Sequence, residues 1–379
     1  MSKDTPSGLR TWITVDQAAI QKNYQSFRDF IPKETDIMAV VKSNAYGHGL
    51  VPFDNKKKKL HVSWLGVDSM VEGLAIRKSG VTTPILNLGA VLESRLKEAF
   101  LQKISVTVSS FDGFRALKRA RLPGLSIQVK VDTGMHRQGF DEKDLPEVLR
   151  VVSEGEGKFF TLTGLYTHFA SAKNPAFPEY THIQIEAFKR WKKAFNDQGF
   201  SPIAHAGATG GALLFPESHF DMVRIGIGMY GLWPSLPVRR AREENLALFP
   251  ALSWYSVVVG VKEVPCGARV GYDLTETLTR DTRYAVIPIG YWHGYPRILS
   301  SIGEVMIHRM RARILGRISM DMMIVDITDI PDVSNGDKVT LIGGEAGSRI
   351  SAEELALLGD SINYELVTRI NPLIERIYQ

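Results

Sequence analysis

The 379-residue chain has one cysteine, Cys266, so it can form no internal disulfide and falls short of any thiolate metal cluster. A reducing cytoplasm is the expected location. Long apolar runs are also missing. The longest, at 251–261, is too short to span a bilayer, and the polar start MSKDTPSGLR holds no signal-peptide core. Secretion and membrane insertion are therefore not expected. The nine histidines include neither HxH nor HExxH, so no metal is expected. Asp132, Thr133 and Gly134 spell an aspartic-protease triplet only once, whereas that chemistry needs two carboxylates sharing a proton. Gly226, Gly228 and Gly231 satisfy GxGxxG, but the pattern begins inside an apolar run and leads into a polar stretch, which disfavours a dinucleotide site.

What is present is ordinary globular material, 44% hydrophobic and 23% charged, which excludes a disordered or fibrous chain. The length is two to three times that of a typical domain of about 100 to 200 residues, so more than one domain is expected. The net charge of +5 could suit nucleic acid, and Lys56, Lys57, Lys58 and Lys59 form a basic run. No aromatic residues interleave with those lysines as stacking platforms, so they read as a solvated helix face and no nucleic-acid partner is expected. Small anionic substrates or a phosphate-bearing cofactor fit the charge better.

Short runs rich in Val, Ile and Leu recur at 36–41, 64–67, 84–89, 105–110, 126–131, 162–168, 202–206 and 222–227. Amphipathic segments at 18–31, 70–79, 93–102, 113–121 and 183–197 lie between them. This alternation reads as an α/β architecture, an N-terminal (β/α)8 TIM-type barrel, with an open doubly wound sheet as the competing reading. After Pro250 the texture changes to strand-like runs at 254–264, 284–290, 304–315, 322–327 and 338–343, separated by Gly, Pro and Asp turns. A C-terminal mostly-β domain is expected, with boundaries at 1–240 and 241–379. The polar stretch 235–245 reads as the linker, and a closing helix is expected over 352–371, with Ser351 and Glu354 spaced as a capping box.

In a barrel the chemistry sits at the carboxyl ends of the strands. The first run ends in Lys42, and burial beside apolar residues lowers a lysine pKa, freeing the amine as a nucleophile or Schiff-base partner. Alone, such a lysine is more often an ordinary rim residue. The fifth run ends in Lys130, Asp132 and Arg137, the sixth in His168, the seventh in His205 and the eighth in Arg224. A ring of cations and histidines at strand ends suggests an anionic ligand. The loops after the seventh and eighth runs carry Thr209, Gly210, Gly211, Gly226 and Gly228, whose N–H groups and hydroxyl could cradle phosphate. The competing reading is that these glycines only relieve crowding.

The segments AVVKSNAYGHG, KVDTGMHRQGF, YTHFA, DMVRIGIGMYG, ARVGYDLT, VIPIGYWHGYPR, GRISMDMM and INYE, in that order, resemble the alanine racemases over nearly the whole chain. The resemblance implies a barrel followed by a β-rich domain and a pyridoxal 5′-phosphate (PLP) cofactor. Lys42 matches the lysine that holds PLP and acts as the base on the D-alanine proton. Tyr272 matches the tyrosine that takes the proton from L-alanine on the opposite face. An unperturbed tyrosine, with a pKa near 10, is a poor base at neutral pH, so neighbouring cations should help it. Arg137 and the His168 network match those helpers, and Arg137 also matches the substrate-carboxylate ligand. Lys130 matches a lysine that is often carbamylated, which would turn a cation into an anion orienting Arg137.

By the same resemblance Arg224 faces the cofactor's ring nitrogen and His205 hydrogen-bonds that arginine. Tyr46, Thr209, Gly226, Ile227 and Tyr364 match phosphate contacts, and Met320 matches a backbone contact to substrate. Tyr272 and Met320 reach the site from a second subunit in this family, which implies a homodimer with shared active sites. The resemblance implies interconversion of L- and D-alanine, supplying D-alanine for peptidoglycan. A broad-specificity or serine racemase and a non-catalytic PLP carrier are the alternatives. The chain departs from the family where Ala208, Thr209 and Gly210 replace Asn-Ser-Ala, where Trp292 and His293 replace a small residue and an acid, and where Ser319 replaces a common cysteine.

Overall fold

A strand buried on both faces must be apolar along its whole length rather than at alternate positions. The central runs of the first half have this character. The computed structural model describes residues 6, 8–50, 62–345 and 347–379, so the lysine run at 56–59 lies outside the described residues. After β1 (Thr11–Val15), eight parallel strands follow: β2 (Asp36–Val40), β3 (Trp64–Val67), β4 (Ile85–Asn87), β5 (Ile104–Val108), β6 (Ser126–Lys130), β7 (Thr161–Tyr166), β8 (Ile203–Ala208) and β9 (Met222–Ile225). They close into a barrel, β2 pairing with β9 from Asp36↔Met222 to Ala39↔Ile225. That closure removes the open-sheet alternative. Met38, Leu86, Tyr166 and Met222 form a buried cluster from four of these strands. Burying side chains of this size contributes about 1.5–3 kcal/mol each.

Helices return the chain between strands, and their starts are fixed by caps. Ser69 Oγ accepts from Glu72 N before helix Met70–Lys78, and Ser110 Oγ accepts from Gly113 N before helix Phe111–Ala120. The latter buries Phe114 and Leu117 and ends in Lys118 and Arg119, cations that suit the negative end of the helix dipole. The stretch expected to be a linker carries a helix instead, Leu236–Arg242, because Ser235 Oγ accepts from Val238 N and Pro237 stands in the first turn.

By contact density the chain divides into two compact units. One comprises Ile20–Ala45 and Leu50–Phe249, and the other Met1–Ala19, Tyr46–Gly49 and Pro250–Gln379. The second unit is mostly β, with β10 (Leu252–Val257), β11 (Gly260–Val264), β12 (Arg269–Val270), β13 (Glu276–Thr277), β14 (Thr282–Ile287), β15 (Glu304–Ile307), β16 (Met310–Arg313), β17 (Met323–Asp326), β18 (Lys338–Glu345), β19 (Ser348–Ile350) and β20 (Arg376–Tyr378). Its largest sheet runs β16-β15-β18-β10-β1-β20, with β19 on β18. A second sheet runs β11-β14-β17, and β12 pairs with β13 alone. Residues 46–49 belong here because Arg376 Nε and Nη2 donate to Gly47 O at 3.2 and 3.1 Å. A side chain at Gly47 would put Cβ 2.0 Å from Val367 O, and its φ is +82°, so only glycine fits.

Three expectations for this half are corrected. The apolar run 254–264 is two strands in different sheets, β10 and β11. The run 304–315 is the hairpin β15–β16, turned at His308 and Arg309, which both hold positive φ. The closing helix is two short ones, Ala352–Leu358 and Asn363–Thr368, broken at Gly359 and at Asp360 with φ +48°. Ser351 does cap the first, accepting from Glu354 N at 3.0 Å. No helix among the described residues is long and apolar enough to cross a membrane.

Candidate active site

Lys42 stands just beyond β2, at the head of a turn whose next residues Ser43, Asn44, Ala45 and Tyr46 all have φ between +53° and +55°. Four successive non-glycine residues in left-handed conformation are costly, at about 1–2 kcal/mol each, and must be held by their surroundings. The holder is Glu72. Its Oε1 accepts from Ser43 N at 2.6 Å and Asn44 N at 3.4 Å, and its Oε2 accepts from Asp68 N at 2.9 Å. Asp68 in turn presents Oδ1 to Lys42 Nζ at 3.4 Å, a loose pair with side chains 39% and 57% exposed. Such a pair contributes little energy and leaves the amine accessible.

Arg224, on β9, is 3% exposed and has no carboxylate partner among the described residues. Its Nη1 donates to His205 Nδ1 at 2.8 Å and His205 O at 3.1 Å. Its Nη2 donates to Thr167 O, Ala206 O and His168 Nδ1 at 2.8, 2.7 and 3.2 Å. Burial lowers its pKa to about 10, so it stays charged at neutral pH. The same burial, joined by the Arg224 charge, holds His205 and His168 well below the usual histidine range, so both rings are neutral. A guanidinium only donates, so His205 Nδ1 must carry the lone pair and its proton must sit on Nε2. Nε2 meets Gln128 Oε1 at 2.7 Å. Tyr166 lies flat against the His205 ring, with centroids 4.8 Å apart and planes 5° apart, and its hydroxyl pairs with Thr107 Oγ1 at 2.8 Å.

Lys130, the last residue of β6, is buried and donates to Gln138 Oε1 at 3.0 Å, whose amide donates to Ser109 Oγ at 3.1 Å. Burial, then the Arg137 and Arg224 charges, lowers its pKa to about 8. Arg137 stands on a turn organised by Asp132. Asp132 Oδ1 accepts from the amides of Gly134, Met135 and His136 at 2.8, 2.9 and 3.0 Å, and Oδ2 accepts from Arg137 N at 3.1 Å. Burial alone would raise this carboxyl, but the amide donors outweigh it and hold it below its usual range. The Asp132 charge works against the lowering of the Lys130 pKa, but less strongly than burial and the Arg137 and Arg224 charges work for it.

Gly226 N donates to Thr209 Oγ1 at 3.1 Å, so the threonine hydroxyl hydrogen remains available to a ligand. Thr209 and Ile227 are buried, and Gly226 has an unusual φ/ψ of −103°/−100°. The glycines nearby answer to crowding. A Cβ at Gly210 would lie 2.5 Å from Ala172 O, and one at Gly228 would lie 2.5 Å from the Phe27 ring.

The structure therefore brings Lys42, Lys130, Arg137, His168, His205, Thr209, Arg224, Gly226 and Ile227 onto the barrel unit. The other expected residues lie on the second unit. There Tyr46 and Tyr364 face each other with ring centroids 6.1 Å apart, and burial followed by the Tyr46 charge pushes the Tyr364 hydroxyl well up. Tyr272 begins a turn between the two-residue strands β12 and β13 and is 68% exposed. Met320 is 54% exposed, on a turn where Ser319 Oγ accepts from Met322 N at 3.1 Å and Met320 O accepts from Trp292 N at 3.0 Å. Sequence reasoning missed Glu72, Asp68, Gln128, Tyr166 and Gln138. The only signals were a carboxylate just inside a helix start and polar residues inside otherwise apolar strands.

The donor set of the barrel unit is a lysine amine beside three further cations, Lys130, Arg137 and Arg224, with few free carboxylates. It fits an anionic, carbonyl-bearing ligand. Comparison with known proteins agrees. The family described as "Alanine racemase, N-terminal domain" matches residues 15–234, and "Alanine racemase, C-terminal domain" matches residues 251–378. An alanine racemase of Leptospira interrogans serogroup Icterohaemorrhagiae serovar copenhageni is 36% identical over 382 residues, covering 99% of this chain and 96% of that one. One from Methanococcus maripaludis is 36% identical over 372 residues, covering 97% and 98%. The crystal structure of alanine racemase from Bacillus anthracis with bound L-Ala-P has a TM-score of 0.90 at 34% identity, covering 99% of this chain and 96% of that one. The chain, a (β/α)8 barrel followed by a mostly-β half, thus belongs to the alanine racemase family and is an isomerase of the racemase type.

Proposed function

We propose that the chain interconverts L- and D-alanine using PLP, with each active site completed by a second copy. The observation that carries this reading is the Lys42 amine, held by a strained turn at a barrel mouth where Lys130, Arg137 and Arg224 converge. PLP, when bound, supplies an aldehyde for the amino group of alanine and an electron-withdrawing ring that makes the Cα proton acidic. Lys42 Nζ binds the cofactor and moves the proton at Cα on the D face. Tyr272 of a second copy moves it on the opposite face, since inversion needs one face to lose a proton and the other to gain it. Arg137 holds the substrate carboxylate through its planar guanidinium, and the backbone of Met320 from the second copy closes over it.

Arg224, charged at neutral pH, is the residue that would face the cofactor's ring nitrogen, where a fixed cation would disfavour protonation of the ring and so weaken it as an electron sink. Thr209, Gly226 and Ile227 of the barrel unit would hold the phosphate, and His168 and His205 keep Arg224 in place. The depressed pKa of Lys130 supports its carbamylation: the neutral amine adds to CO2, an N–C bond forms, one N–H proton leaves, and the resulting anion orients Arg137. In a bacterial cytoplasm the product would feed peptidoglycan. The Bacillus anthracis relative's bound L-Ala-P supports alanine as the substrate.

The test follows L-alanine in D2O with PLP, reading Cα deuteration by NMR and D-alanine by chiral chromatography. Mixing Lys42→Ala and Tyr272→Phe chains then tests the shared site. Each mixed dimer regains one intact site, so about a quarter of wild-type activity should return after subunit exchange. Activity that stays at the level of the separate variants would refute sharing, and absence of deuteration in the wild type would refute the reaction.

A further inference from the structure

We infer that Gln128 is a positioning residue for Arg224: its Oε1 accepts the hydrogen bond from His205 Nε2–H and so commits the other ring nitrogen, as a lone pair, to the guanidinium. The inference deepens the proposed function and rests on it where catalysis is concerned. Gln128 lies inside the barrel on β6, fully buried, with its Oε1 2.7 Å from His205 Nε2. A neutral imidazole can carry its proton on either nitrogen; the Arg224 donor at Nδ1 and the Gln128 acceptor at Nε2 favour the same form, and without the acceptor that form would leave a buried N–H unpaired. With the proton on Nδ1, donor would face donor across the 2.8 Å gap to Arg224 Nη1. Among the described residues no other polar group meets His205 Nε2, while the Tyr166 ring covers one face of the imidazole.

The barrel is built around this amide. Strand pairing between β6 and β7 slips between Ile127 and Gln128, and opposite stands Gly164, where an added Cβ would lie 2.5 Å from Gln128 Cδ. The side chain is therefore laid across a glycine. Its Nε2 is buried with no hydrogen-bond partner among the described residues, an arrangement an apolar residue of similar length would avoid. What keeps an amide there is its oxygen. Among the described residues His205 meets Arg224 from β9, Tyr166 from β7 and Gln128 from β6, and of these Gln128 offers Nε2 an acceptor. In the proposed reaction Arg224 would meet the cofactor ring and His205 accepts from Arg224, so Gln128 acts two hydrogen bonds from the guanidinium and three from the ring.

The experiment labels histidine with 15N and reads the His205 tautomer by NMR, assigned with a His205→Gln variant, in PLP-free and PLP-loaded wild type, Gln128→Met and Gln128→Glu. The wild type should show the proton on Nε2 in both states. Gln128→Met, unbranched and similar in length, should lose that single tautomer, and Gln128→Glu, which restores an acceptor, should recover it. With alanine, Gln128→Met should lower kcat about 10-fold with KM changed less than about 2-fold, and Gln128→Glu should recover most of the loss. A wild-type proton on Nδ1, or an unchanged tautomer in Gln128→Met, would overturn the inference, and the first of these needs no folded variant. A wild type that shows the expected tautomer but does not racemise alanine would remove the reading of function and leave the positioning role standing.

Discussion

The barrel's charged cluster and the turns carrying Tyr272 and Met320 are built on opposite plans. Arg224 is 3% exposed and spends its donors on five acceptors of its own unit. Tyr272 and Met320 are 68% and 54% exposed, on turns flanked by little regular structure. A buried charge has no water to fall back on, so the chain must supply every partner in advance. An exposed tyrosine needs no such support in the free chain, and its surroundings can come from another molecule. If the proposed function holds, one half of the chemistry is finished by folding and the other is left for assembly.

The largest expected effect strikes the finished half. Lys42→Ala should lower alanine racemisation by about 10³-fold or more and abolish the near-visible absorbance of bound PLP, read by spectrophotometry after dialysis. Tyr272→Phe should come next, with a loss of about 10²- to 10³-fold and the absorbance intact. A Tyr272→Phe enzyme with wild-type turnover would break the comparison, because the exposed half would then carry no chemistry.

A third test concerns what the barrel unit gives up to bury cations. With CO2 excluded, so that the amine is not carbamylated, Lys130 titrates near 8 in the fold and near 10.5 when free. Below pH 8 both states are protonated and the burial penalty is constant. Between pH 8 and 10.5 the unfolded chain binds more protons, so stability from this group rises with pH. Lys130→Met should flatten that rise and gain about 1–3 kcal/mol near neutrality in urea unfolding. A variant with an unchanged pH slope would show that another group governs it.

The barrel and its strand-end residues were legible because two simple signals coincide there, a wholly apolar run and a charged residue at its end. Lys42 and Lys130 follow that rule directly, whereas Arg224 lies one residue inside its strand and His168 and His205, neutral in the fold, follow it only as polar side chains. The second unit was less legible because its apolar runs continue through turns. Val258 is buried between β10 and β11, so nothing in the pattern marks the change of sheet. β1 reads like any other short strand, yet its partners β10 and β20 lie at the far end of the chain. Gln128 was passed over because a single amide within a strand has no period, and its meaning arises only when β8 brings His205 beside it.

Glu72 shows the same difficulty at the Lys42 turn, and testing it gives the smallest of the expected effects. It sits one turn into its own helix, where a carboxylate is already favourable, so its sequence position has a sufficient local explanation. The structure adds a second role, since both oxygens reach backbone amides outside the helix. Glu72→Gln with its oxygen toward Ser43 keeps the bonds to the turn but sets an amide donor against Asp68 N–H, whereas Glu72→Ala loses all three. Hydrogen bonds to a charged group contribute about 1.5–3 kcal/mol when shielded and less in this exposed setting. Glu72→Ala should therefore lose about 1–2 kcal/mol in urea unfolding and Glu72→Gln about half of that. Equal losses in the two would mean that the helix start, and not the left-handed turn under Lys42, is what the carboxylate supports.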